Sequence, residues 1–526
     1  MHAEMARWIE NVTEPDLAAE LSRMKEAAET GDESAFTDAF FQDLSFGTAG
    51  LRGTLGAGTN RMNIYTVGRA TQGFADYLNA HFKNPSVAIA RDSRNNGELF
   101  VRTAATIFAA NGVHAYVYPR ISPVPTLSWA VRDLGCSGGV CVTASHNPAA
   151  YNGYKAYGPD GCQITSEAAA AISAAIEGTD IFSGVKSVDF DAALAKGDVT
   201  WIDDAVLERY YDAVLSKSVS NLSADEVAKA PLKLVYSPLN GTGLVPVTTV
   251  LERAGVTDIT VVPEQRDPDA DRVGVAVKDG EDYLLLTGNE MGVLLLDYIC
   301  RMRIKRGENL AEKVAVTTIV SSAMVDALAA KYGFKLRRCL TGFKYIGDII
   351  TELADEGQAD RFIFGFEESY GYLSGDHVRD KDAVNASLLI CQMAQSYKLQ
   401  GKNLADAMRD LYAEHGYWLN RTVSVSYPGA EGAAAMAAIM ERLRAEAPSE
   451  VAGLAVESVV DYEDAGTGLP PANVVELRLA GGNKAIVRPS GTEPKIKLYV
   501  FAKDDTRESA ETLLDSIETA GRKLLA

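Results

Sequence analysis

A serine and a histidine lie side by side in the segment TASHNPAAYNGYK, residues 143 to 155. Ser145 is a candidate nucleophile, but adjacent side chains of an extended loop point apart, so His146 is poorly placed as its hydrogen-bonded base. The nucleophile elbow G-x-S-x-G is also absent, because Thr143 and Asn147 occupy the positions of its glycines. These observations argue against a hydrolase with a Ser-His-Asp triad.

A second segment, DPDADR, alternates three aspartates and ends in arginine: Asp267, Asp269, Asp271 and Arg272. Closely spaced carboxylates suit a hard divalent cation with oxygen ligands. An EF-hand loop would need glycine at its sixth position and glutamate at its twelfth, and these positions hold Arg272 and Lys278. The strict spacing after a predicted strand favours a different kind of metal site over a solvated acidic turn.

The segment RPSGTEPKIK is rich in groups that bind phosphate. Arginine donates two parallel hydrogen bonds to phosphate oxygens, hydroxyls add donors, and glycine lets backbone N–H groups approach. In an acidic chain this local concentration indicates a phosphomonoester site, although Pro489 and Gly491 would equally favour an exposed hairpin turn. The residues concerned are Arg488, Ser490, Gly491, Thr492, Lys495 and Lys497.

The segment GFEESYGY places Glu367, Glu368 and Ser369 directly after the apolar run RFIFG. Charged residues at the end of a buried strand are commonly caps. Carboxylates and hydroxyls also hydrogen-bond the adjacent hydroxyls of a sugar. Taken alone, the segment leaves both interpretations open.

A glycine-rich loop is predicted near the N-terminus, in SFGTAGLRGTLGAGTNRMN. It lacks the Gly-Lys-Ser/Thr of a P-loop, and the later segment GRATQGF lacks the spacing of a dinucleotide fingerprint. We therefore expect neither ATP nor NAD as a cofactor. Arg52 in this loop could still reach a ligand.

The elements around these segments alternate in type. Short apolar runs such as SVAIA and GGVCVTA indicate buried strands, and GELFVRTAATIFAANG indicates a helix between two of them. The alternation recurs twice further along, which predicts an α/β protein with βαβ sheets and ligands beyond the carboxyl ends of the strands. From about residue 419 the pattern changes to an α+β domain with antiparallel strands.

The composition restricts which binding partners and which cellular compartment we expect. The 526 residues carry a net charge of −20, which argues against nucleic acid and against anionic membrane surfaces. The six cysteines show no CxxC pair and are typical of reduced thiols in a cytoplasmic protein. We see no signal peptide and no membrane-spanning run, and so expect a soluble, intracellular protein that is a monomer or a weak dimer.

Together these segments offer a serine, a divalent-metal site, a loop for sugar hydroxyls and a phosphate clamp. A serine beside a metal can carry a phosphoryl group and donate it, while the metal and arginine neutralise charge on the phosphoryl oxygens. The chemistry that this combination supports is phosphoryl transfer.

At this point the sequence resembles a known family, the α-D-phosphohexomutases, over nearly its whole length. TASHNPAAYNGYK, DPDADR, EES and RPSGTEPK occur in the family's order, one per domain. Within the family the chain is most similar to the longer phosphoglucomutases whose relatives include phosphopentomutases. The resemblance implies three related α/β domains with mixed sheets and a C-terminal α+β domain around a central cleft. We place these domains at residues 1–198, 199–312, 313–418 and 419–526.

The resemblance also implies roles for the residues of the reacting centre. By it, Ser145 carries the phosphoryl group and His146 lines the reacting end of the sugar. Two basic residues, Lys155 and Arg52, handle the proton of the attacking hydroxyl. The implied cofactor is Mg²⁺, and its ligands are Asp267, Asp269, Asp271 and an oxygen of phosphorylated Ser145.

The remaining candidates would bind the substrate, a small sugar phosphate. The resemblance implies that Glu367 and Ser369 grip the sugar hydroxyls. It assigns four residues of the C-terminal loop to the non-reacting phosphate: Arg488, Ser490, Gly491 and Thr492. Arg272, which follows the metal ligands, is a further candidate for substrate binding.

The implied reaction interconverts glucose 1-phosphate and glucose 6-phosphate through a phosphoserine and glucose 1,6-bisphosphate, which also serves as activator. One departure bears on the sugar: Tyr370 and Gly371 follow Ser369 where bacterial dual-specificity relatives have Gly-His. Phosphopentomutase and phosphomannomutase activities stay open as alternatives. A metal-dependent sugar phosphatase and a non-catalytic sugar-phosphate-binding protein are rivals from other classes, and the second would need no nucleophile.

Overall fold

The computed structural model describes residues 2–47, 50–145, 147–238, 242–262, 270–427, 429–490 and 495–525. Its first element is a small helical layer whose apolar side chains surround Trp8, which is fully buried. The charged, amphipathic sequence of residues 2–29 favours such a helical layer. It consists of α1 (His2–Asn11), α2 (Pro15–Glu29) and α3 (Ser34–Phe40).

The first domain is built on a six-stranded sheet in the order β1-β5-β4-β2-β3-β6. Strands β4, β2, β3 and β6 are parallel, and β5 and β1 add an antiparallel edge. The elements are β1 (Gly50–Thr54), α4 (Ile64–His81), β2 (Ser86–Arg91), α5 (Gly97–Ala110), β3 (His114–Val117), α6 (Val124–Asp133), β4 (Gly138–Val142), β5 (Tyr151–Tyr157), α7 (Ser166–Glu177), α8 (Phe190–Lys196) and β6 (Val199–Trp201).

The structure of this antiparallel edge shows that one prediction made from the sequence is wrong. Arg52 was expected in a glycine-rich loop, but it lies within β1, and Lys155 lies within β5. The many glycines of this stretch concealed the strand, because glycine is depleted in strands generally. Here glycine is required at Gly153, where a Cβ would lie 2.5 Å from the carbonyl oxygen of Thr143.

The second part of the chain contains two small sheets in the described residues. Strands β7 and β8 are parallel, and β9 and β10 form an antiparallel pair. The elements are α9 (Asp204–Ser216), α10 (Ala224–Lys229), β7 (Lys233–Tyr236), α11 (Leu244–Arg253), β8 (Asp258–Val261), β9 (Val275–Asp279), β10 (Asp282–Leu286) and α12 (Gly288–Lys305). Helix α12 contributes most of its apolar residues to a large core shared with the next sheet. The domain boundary at residue 312 stays a prediction.

The third sheet has the order β12-β11-β13-β14, with β14 antiparallel to β13. Strand β13 is buried throughout, as expected of a strand covered on both faces. The elements are β11 (Val314–Thr318), α13 (Met324–Tyr332), β12 (Lys335–Cys339), α14 (Phe343–Asp355), β13 (Phe362–Glu367), β14 (Gly371–Leu373), α15 (Ala383–Lys398) and α16 (Leu404–His415), with a short 3₁₀ turn at Ala359–Arg361.

The C-terminal domain is a six-stranded sheet in the order β15-β20-β19-β18-β17-β16, and neighbouring strands are antiparallel. Its elements are β15 (Tyr417–Ser426), α17 (Gly429–Ala445), β16 (Glu450–Val451), β17 (Leu454–Asp461), β18 (Val475–Leu479), β19 (Asn483–Pro489), β20 (Lys495–Asp504) and α18 (Arg507–Leu524), with 3₁₀ turns at Ala465–Thr467 and Ala480–Gly482. The predicted fold class, α/β with a C-terminal α+β domain, is confirmed. No helix in the described ranges is long and apolar enough to span a membrane.

One segment of the third domain, DHVRDKD at residues 376–382, ties this domain to its neighbours, and we call it the interdomain segment. Tyr157 of the first domain donates to Asp380 Oδ2 at 3.1 Å. Tyr210 on α9 donates to Asp382 Oδ1 at 2.9 Å. The segment therefore carries buried hydrogen bonds to two other parts of the chain.

Candidate active site

Ser145 lies three residues beyond the end of β4 and is 5 % exposed. Its φ is 55°, in the left-handed region that non-glycine residues seldom adopt. Such a conformation costs about 1–3 kcal/mol and persists only where the surroundings impose it. The chain thus turns sharply at the carboxyl end of a buried strand, where α/β proteins bind ligands.

A buried aspartate imposes this turn. Asp92, just after β2, is fully buried and accepts a 2.6 Å hydrogen bond from Thr143 Oγ1, which in turn accepts one of 2.9 Å from the Ser145 N–H. Burial raises the pKa of Asp92, although the hydrogen bond from Thr143 and the charge of Arg94 oppose that rise. The serine is therefore fixed to the neighbouring strand through two hydrogen bonds.

The guanidinium of Arg94 holds the rest of the loop. It donates to the carbonyl oxygens of Asn147 at 2.7 Å, Pro148 at 3.1 Å and Tyr151 at 3.0 Å, and also to that of Ser145. A planar fork of five donors is suited to such a set of acceptors. The loop is therefore clamped on both sides of residue 146.

Two basic residues approach this loop from the antiparallel edge. Arg52 is opposite Gly153 in the pairing of β1 with β5, and its Nη1 donates to Asn147 Oδ1 at 3.4 Å. Lys155 is opposite Cys141 in the pairing of β5 with β4. Both cations thus lie on strands that frame the serine loop.

Asp271 forms a second cluster with a lysine that sequence reasoning did not single out. Lys381 Nζ lies 3.3 Å from Asp271 Oδ2 and 2.9 Å from Asp380 Oδ1. Burial opposes ionisation of Asp271, but the charges of Lys381, Arg272 and Lys155 outweigh it and hold the pKa of Asp271 well below its usual range. Asp271 is therefore an ionised, buried carboxylate.

The ionised carboxylate of Asp271 fits the donor set of Mg²⁺, which prefers anionic oxygen ligands. Of the four predicted ligands, the structure describes two, Asp271 and Ser145. No group of three or more His, Cys, Asp or Glu side chains suited to a metal occurs among the described residues. The complete set would need Asp267 and Asp269, which lie outside them.

The predicted sugar loop begins at the end of β13. Glu367 is 4 % exposed and its Oε1 accepts from the Gly342 N–H at 2.8 Å, while burial raises its pKa. Ser369 is partly exposed, and Tyr370 has a φ of 68° with 40 % of its surface exposed. The Val273 N–H donates to the Tyr370 carbonyl at 3.1 Å, which joins this loop to the segment that follows Arg272.

The predicted phosphate loop connects β19 to β20. Arg488 is directly opposite Lys497 across these strands, so the two cations are neighbours on one sheet. The Ser490 N–H donates to the Lys495 carbonyl at 2.8 Å and closes the base of the hairpin. Five predicted site residues lie outside the described residues, and their roles stay predictions: His146, Asp267, Asp269, Gly491 and Thr492.

The charges of these loops act on one another across the domains. Lys155 of the first domain lowers the pKa of Asp271, and Lys381 of the third domain lowers the pKa of both Asp271 and Glu367 against the effect of burial. Arg488 of the C-terminal domain does the same for Glu368, which follows Glu367. Charged residues from the four segments are therefore close enough to shift one another's pKa values, pair by pair.

Sequence reasoning missed the groups that hold the site together. Asp92 and Arg94 occur in RDSR, directly after the buried strand SVAIA, and polar residues at that place are a signal that could have found them. Asp380 and Lys381 occur in DHVRDKD, which has the appearance of a solvated charge run. Its burial follows from contacts with distant parts of the chain.

Sequence models of four domain families match the chain. They are phosphoglucomutase/phosphomannomutase alpha/beta/alpha domain I at residues 43–181, domain II at 208–271, domain III at 287–415 and the C-terminal domain at 450–518. The descriptions of these families agree with the fold and with the order of the four loops.

Curated relatives and solved structures agree with these matches. A phosphoglucomutase of Staphylococcus epidermidis (ATCC 35984) is 34 % identical, covering 87 % of this chain and 90 % of its own, and one of Staphylococcus aureus (USA300) is 31 % identical, covering 97 % and 98 %. A phosphoglucomutase/phosphomannomutase family protein of Burkholderia thailandensis superposes with a TM-score of 0.65 at 16 % identity, over 91 % of this chain and 97 % of its own. The open form of Paramecium parafusin gives 0.64 at 16 %, over 92 % and 94 %.

Proposed function

Because the chain belongs to the phosphoglucomutase/phosphomannomutase family, we propose that it is a phosphoglucomutase, an isomerase that interconverts glucose 1-phosphate and glucose 6-phosphate. The name of the staphylococcal relatives, at 31 % and 34 % identity over most of both chains, supports this activity. The observation that carries the proposal is Ser145, held in a costly backbone conformation at a strand end, in a loop that Arg94 clamps and that Arg52 contacts.

The proposed reaction has two phosphoryl transfers. Phosphorylated Ser145 gives its phosphoryl group to the 6-hydroxyl of glucose 1-phosphate, so the Ser145 Oγ–P bond breaks and the O6–P bond forms. The product, glucose 1,6-bisphosphate, turns over in the cleft and returns its 1-phosphate to Ser145. Glucose 6-phosphate leaves, and the enzyme is again phosphorylated.

Each transfer must also move one proton. We assign Lys155 to relay this proton. In the first transfer the proton of the attacking 6-hydroxyl passes to the departing Ser145 Oγ, and in the second the proton of the Ser145 hydroxyl passes to the departing C1 oxygen. Arg52 remains charged at all working pH values and therefore serves to balance the phosphoryl oxygens. His146 stays assigned to the reacting end of the sugar.

Magnesium fits the oxygen donors of this site. Asp267, Asp269 and Asp271 would hold it together with an oxygen of phosphorylated Ser145. When bound, it supplies positive charge that offsets the charge of the phosphoryl oxygens. Independently of the metal, the Asp92–Thr143 contact and the Arg94 clamp keep Ser145 in line for attack.

The other end of the substrate would be gripped by the third and C-terminal domains. Glu367 and Ser369 accept and donate hydrogen bonds to adjacent sugar hydroxyls in either orientation. The non-reacting phosphate is bound by Arg488, Ser490, Gly491 and Thr492, and Arg272 is a further substrate-binding residue. We further expect a cytoplasmic monomer or weak dimer, and the six cysteines, all free and buried, support a reducing compartment.

The test is ³¹P NMR with Mg²⁺ and a trace of glucose 1,6-bisphosphate. Glucose 1-phosphate should give glucose 6-phosphate without free phosphate. A faster reaction of ribose 1-phosphate or mannose 1-phosphate would reassign the sugar, and phosphate release without an isomer would indicate a phosphatase.

The nucleophile is tested in the same assay. Ser145→Ala should abolish turnover and retain sugar-phosphate binding. Ser137→Ala, the same change at the opposite end of β4, is the matched control and should keep wild-type activity. Full activity of Ser145→Ala would refute the phosphoserine mechanism.

A further inference from the structure

Glu368 stands between the two residues assigned to the sugar, and its carboxyl is in an unusual position. The Oε2 atom is buried and has no hydrogen-bond partner among the described residues. A buried polar atom without a partner is costly, and native proteins keep few of them. The buried, unpaired Oε2 of Glu368 is therefore better explained by a role in function than by a role in stability.

The charged groups that face Glu368 come from two domains. Glu367 precedes it in the third domain, while Arg488, Lys497 and Tyr499 belong to the C-terminal sheet. Arg488 and Lys497 are directly opposite on β19 and β20, and Tyr499 lies two residues along β20, on the same face. The carboxyl of Glu368, whose Oε2 has no described partner, is thus close to Arg488 of the phosphate clamp and to the neighbouring Lys497.

This facing is fixed by an apolar contact between the two domains. The same sheet face carries Ile486 and Tyr499, which form one buried cluster with Ile319 and Leu340 of the third domain. Along β19, Ile486 and Arg488 are two residues apart and therefore project from the same side of the sheet. The cluster consequently holds the sheet face that carries Arg488 and Lys497 against the third domain.

Glu368 is also able to change charge near neutral pH. Burial and then the charge of Glu367 raise its pKa to about 7, while Lys497 and Arg488 oppose the rise. At pH 8 the group would be largely ionised, and at pH 6 largely neutral. A phosphate dianion close to Arg488 would repel the ionised form and favour the neutral one.

We propose that Glu368 is a positioning residue of the phosphate clamp: its carboxylate is the counter-ion of Arg488 and Lys497 while the clamp is empty, and it takes up a proton when a dianion binds there. This inference rests on the proposed function for the identity of the clamp. It adds that dianion binding is coupled to uptake of about one proton. The affinity of the clamp for a dianion should then fall above pH 7.

Sulfate is the probe that isolates this effect, because it remains a dianion throughout the range in which phosphate titrates. Sulfate affinity is measured by calorimetry from pH 6 to pH 8.5 on the full chain. In the wild type it should fall up to about tenfold per pH unit above pH 7. In Glu368→Gln it should vary less than about twofold over the range, and it should exceed wild type at pH 8.

The matched control is Glu352→Gln, which removes the same charge from an exposed position on α14 of the same domain. It should keep the wild-type pH dependence. In turnover assays at pH 8, Glu368→Gln should lower KM for glucose 1-phosphate severalfold and leave kcat within about twofold. General damage to the fold would not lower KM while leaving kcat unchanged.

The outcomes separate the inference from the function on which it rests. Arg488-dependent sulfate binding with the same pH dependence in Glu368→Gln and wild type would overturn the role of Glu368 alone. Sulfate binding that is absent, or unaffected by Arg488→Ala, would overturn the clamp as well. Lys497→Met is a second variant should Glu368→Gln not fold: the pH at which affinity begins to fall should move upward, and an unchanged pH would overturn the inference.

Discussion

Lys381 Nζ lies 3.3 Å from Asp271 Oδ2 and 2.9 Å from Asp380 Oδ1, and all three residues are at most 6 % exposed. The lysine belongs to the interdomain segment, and Asp271 ends the predicted metal loop. A cation between two buried carboxylates balances their charges within the protein. The contact therefore joins Asp271 to the third domain.

Removal of this cation should be costly. Lys381→Met removes the cation that acts most strongly on the buried carboxylates Asp271 and Asp380. The weaker effects of Lys155 and Arg272 remain, and we expect a loss of about 3–5 kcal/mol in the free energy of unfolding, measured with denaturant. Lys402→Met removes an exposed ion pair with Asp410 and should cost less than about 1 kcal/mol. Equal losses in the two variants would contradict the assigned role of Lys381.

The fork of Arg94 should not be replaceable by lysine. Arg94→Lys keeps the charge but cannot donate to all the carbonyl oxygens around Ser145, so the serine should shift from the line of attack. We expect kcat to fall roughly 100-fold while KM changes less than about threefold. The control is Arg102→Lys. Arg102 forms an exposed ion pair with Glu98 on α5, and its replacement should change neither kcat nor KM.

A methyl group at Gly153 should disturb the strand that carries Lys155. The added Cβ would lie 2.5 Å from the Thr143 oxygen and 2.9 Å from the Leu51 oxygen, both backbone atoms. Gly153→Ala should lower the free energy of unfolding by about 1–3 kcal/mol and kcat at least tenfold. Gly178→Ala, where the nearest contact is 3.6 Å, should leave both unchanged, and a similar effect at both sites would refute the steric argument.

The raised pKa of Glu368 makes a contribution to stability that decreases with pH. The folded state retains the proton up to about pH 7, whereas the unfolded chain releases it near pH 4.5, so stability is lost as pH rises through this interval. The loss is on the order of 2–4 kcal/mol. Denaturant unfolding should therefore show Glu368→Gln equal to wild type at pH 4.5 and more stable at pH 8.

The control for this pH dependence is a carboxylate with the opposite shift. The hydrogen bond from Arg337 lowers the pKa of Glu352, so its contribution is present at neutral pH and is lost as pH falls. Glu352→Gln should accordingly be slightly less stable than wild type at pH 8. A stability difference for Glu368→Gln that does not grow between pH 5 and pH 8 would show that its pKa is ordinary.

Local patterns were sufficient to predict the fold class and the loops that carry the candidates. Apolar runs such as SVAIA and GGVCV are strands because they are buried on both faces, and Ser145 follows one of them as expected. The glycine-rich strand β1 was missed, since its pairing with β5 and not its composition makes it a strand.

The remaining features depend on contacts between residues far apart in sequence. Asp92 meets Thr143 only because β2 and β4 are adjacent in the sheet, and spacing along the chain cannot show this. Glu368 and Arg488 are brought together by the docking of the C-terminal sheet. Charge runs are predicted to be exposed, so the buried lysine of the interdomain segment gave no recognisable signal.

The interdomain segment affects how the protein unfolds. Its aspartates accept hydrogen bonds from tyrosines of the first domain and of α9, and its lysine forms an ion pair with Asp271. Withdrawal of the segment from one neighbour therefore leaves buried polar groups unpaired in the others. The first three domains should thus exchange their amide protons through a shared opening and melt as one cooperative unit, even though each has its own sheet.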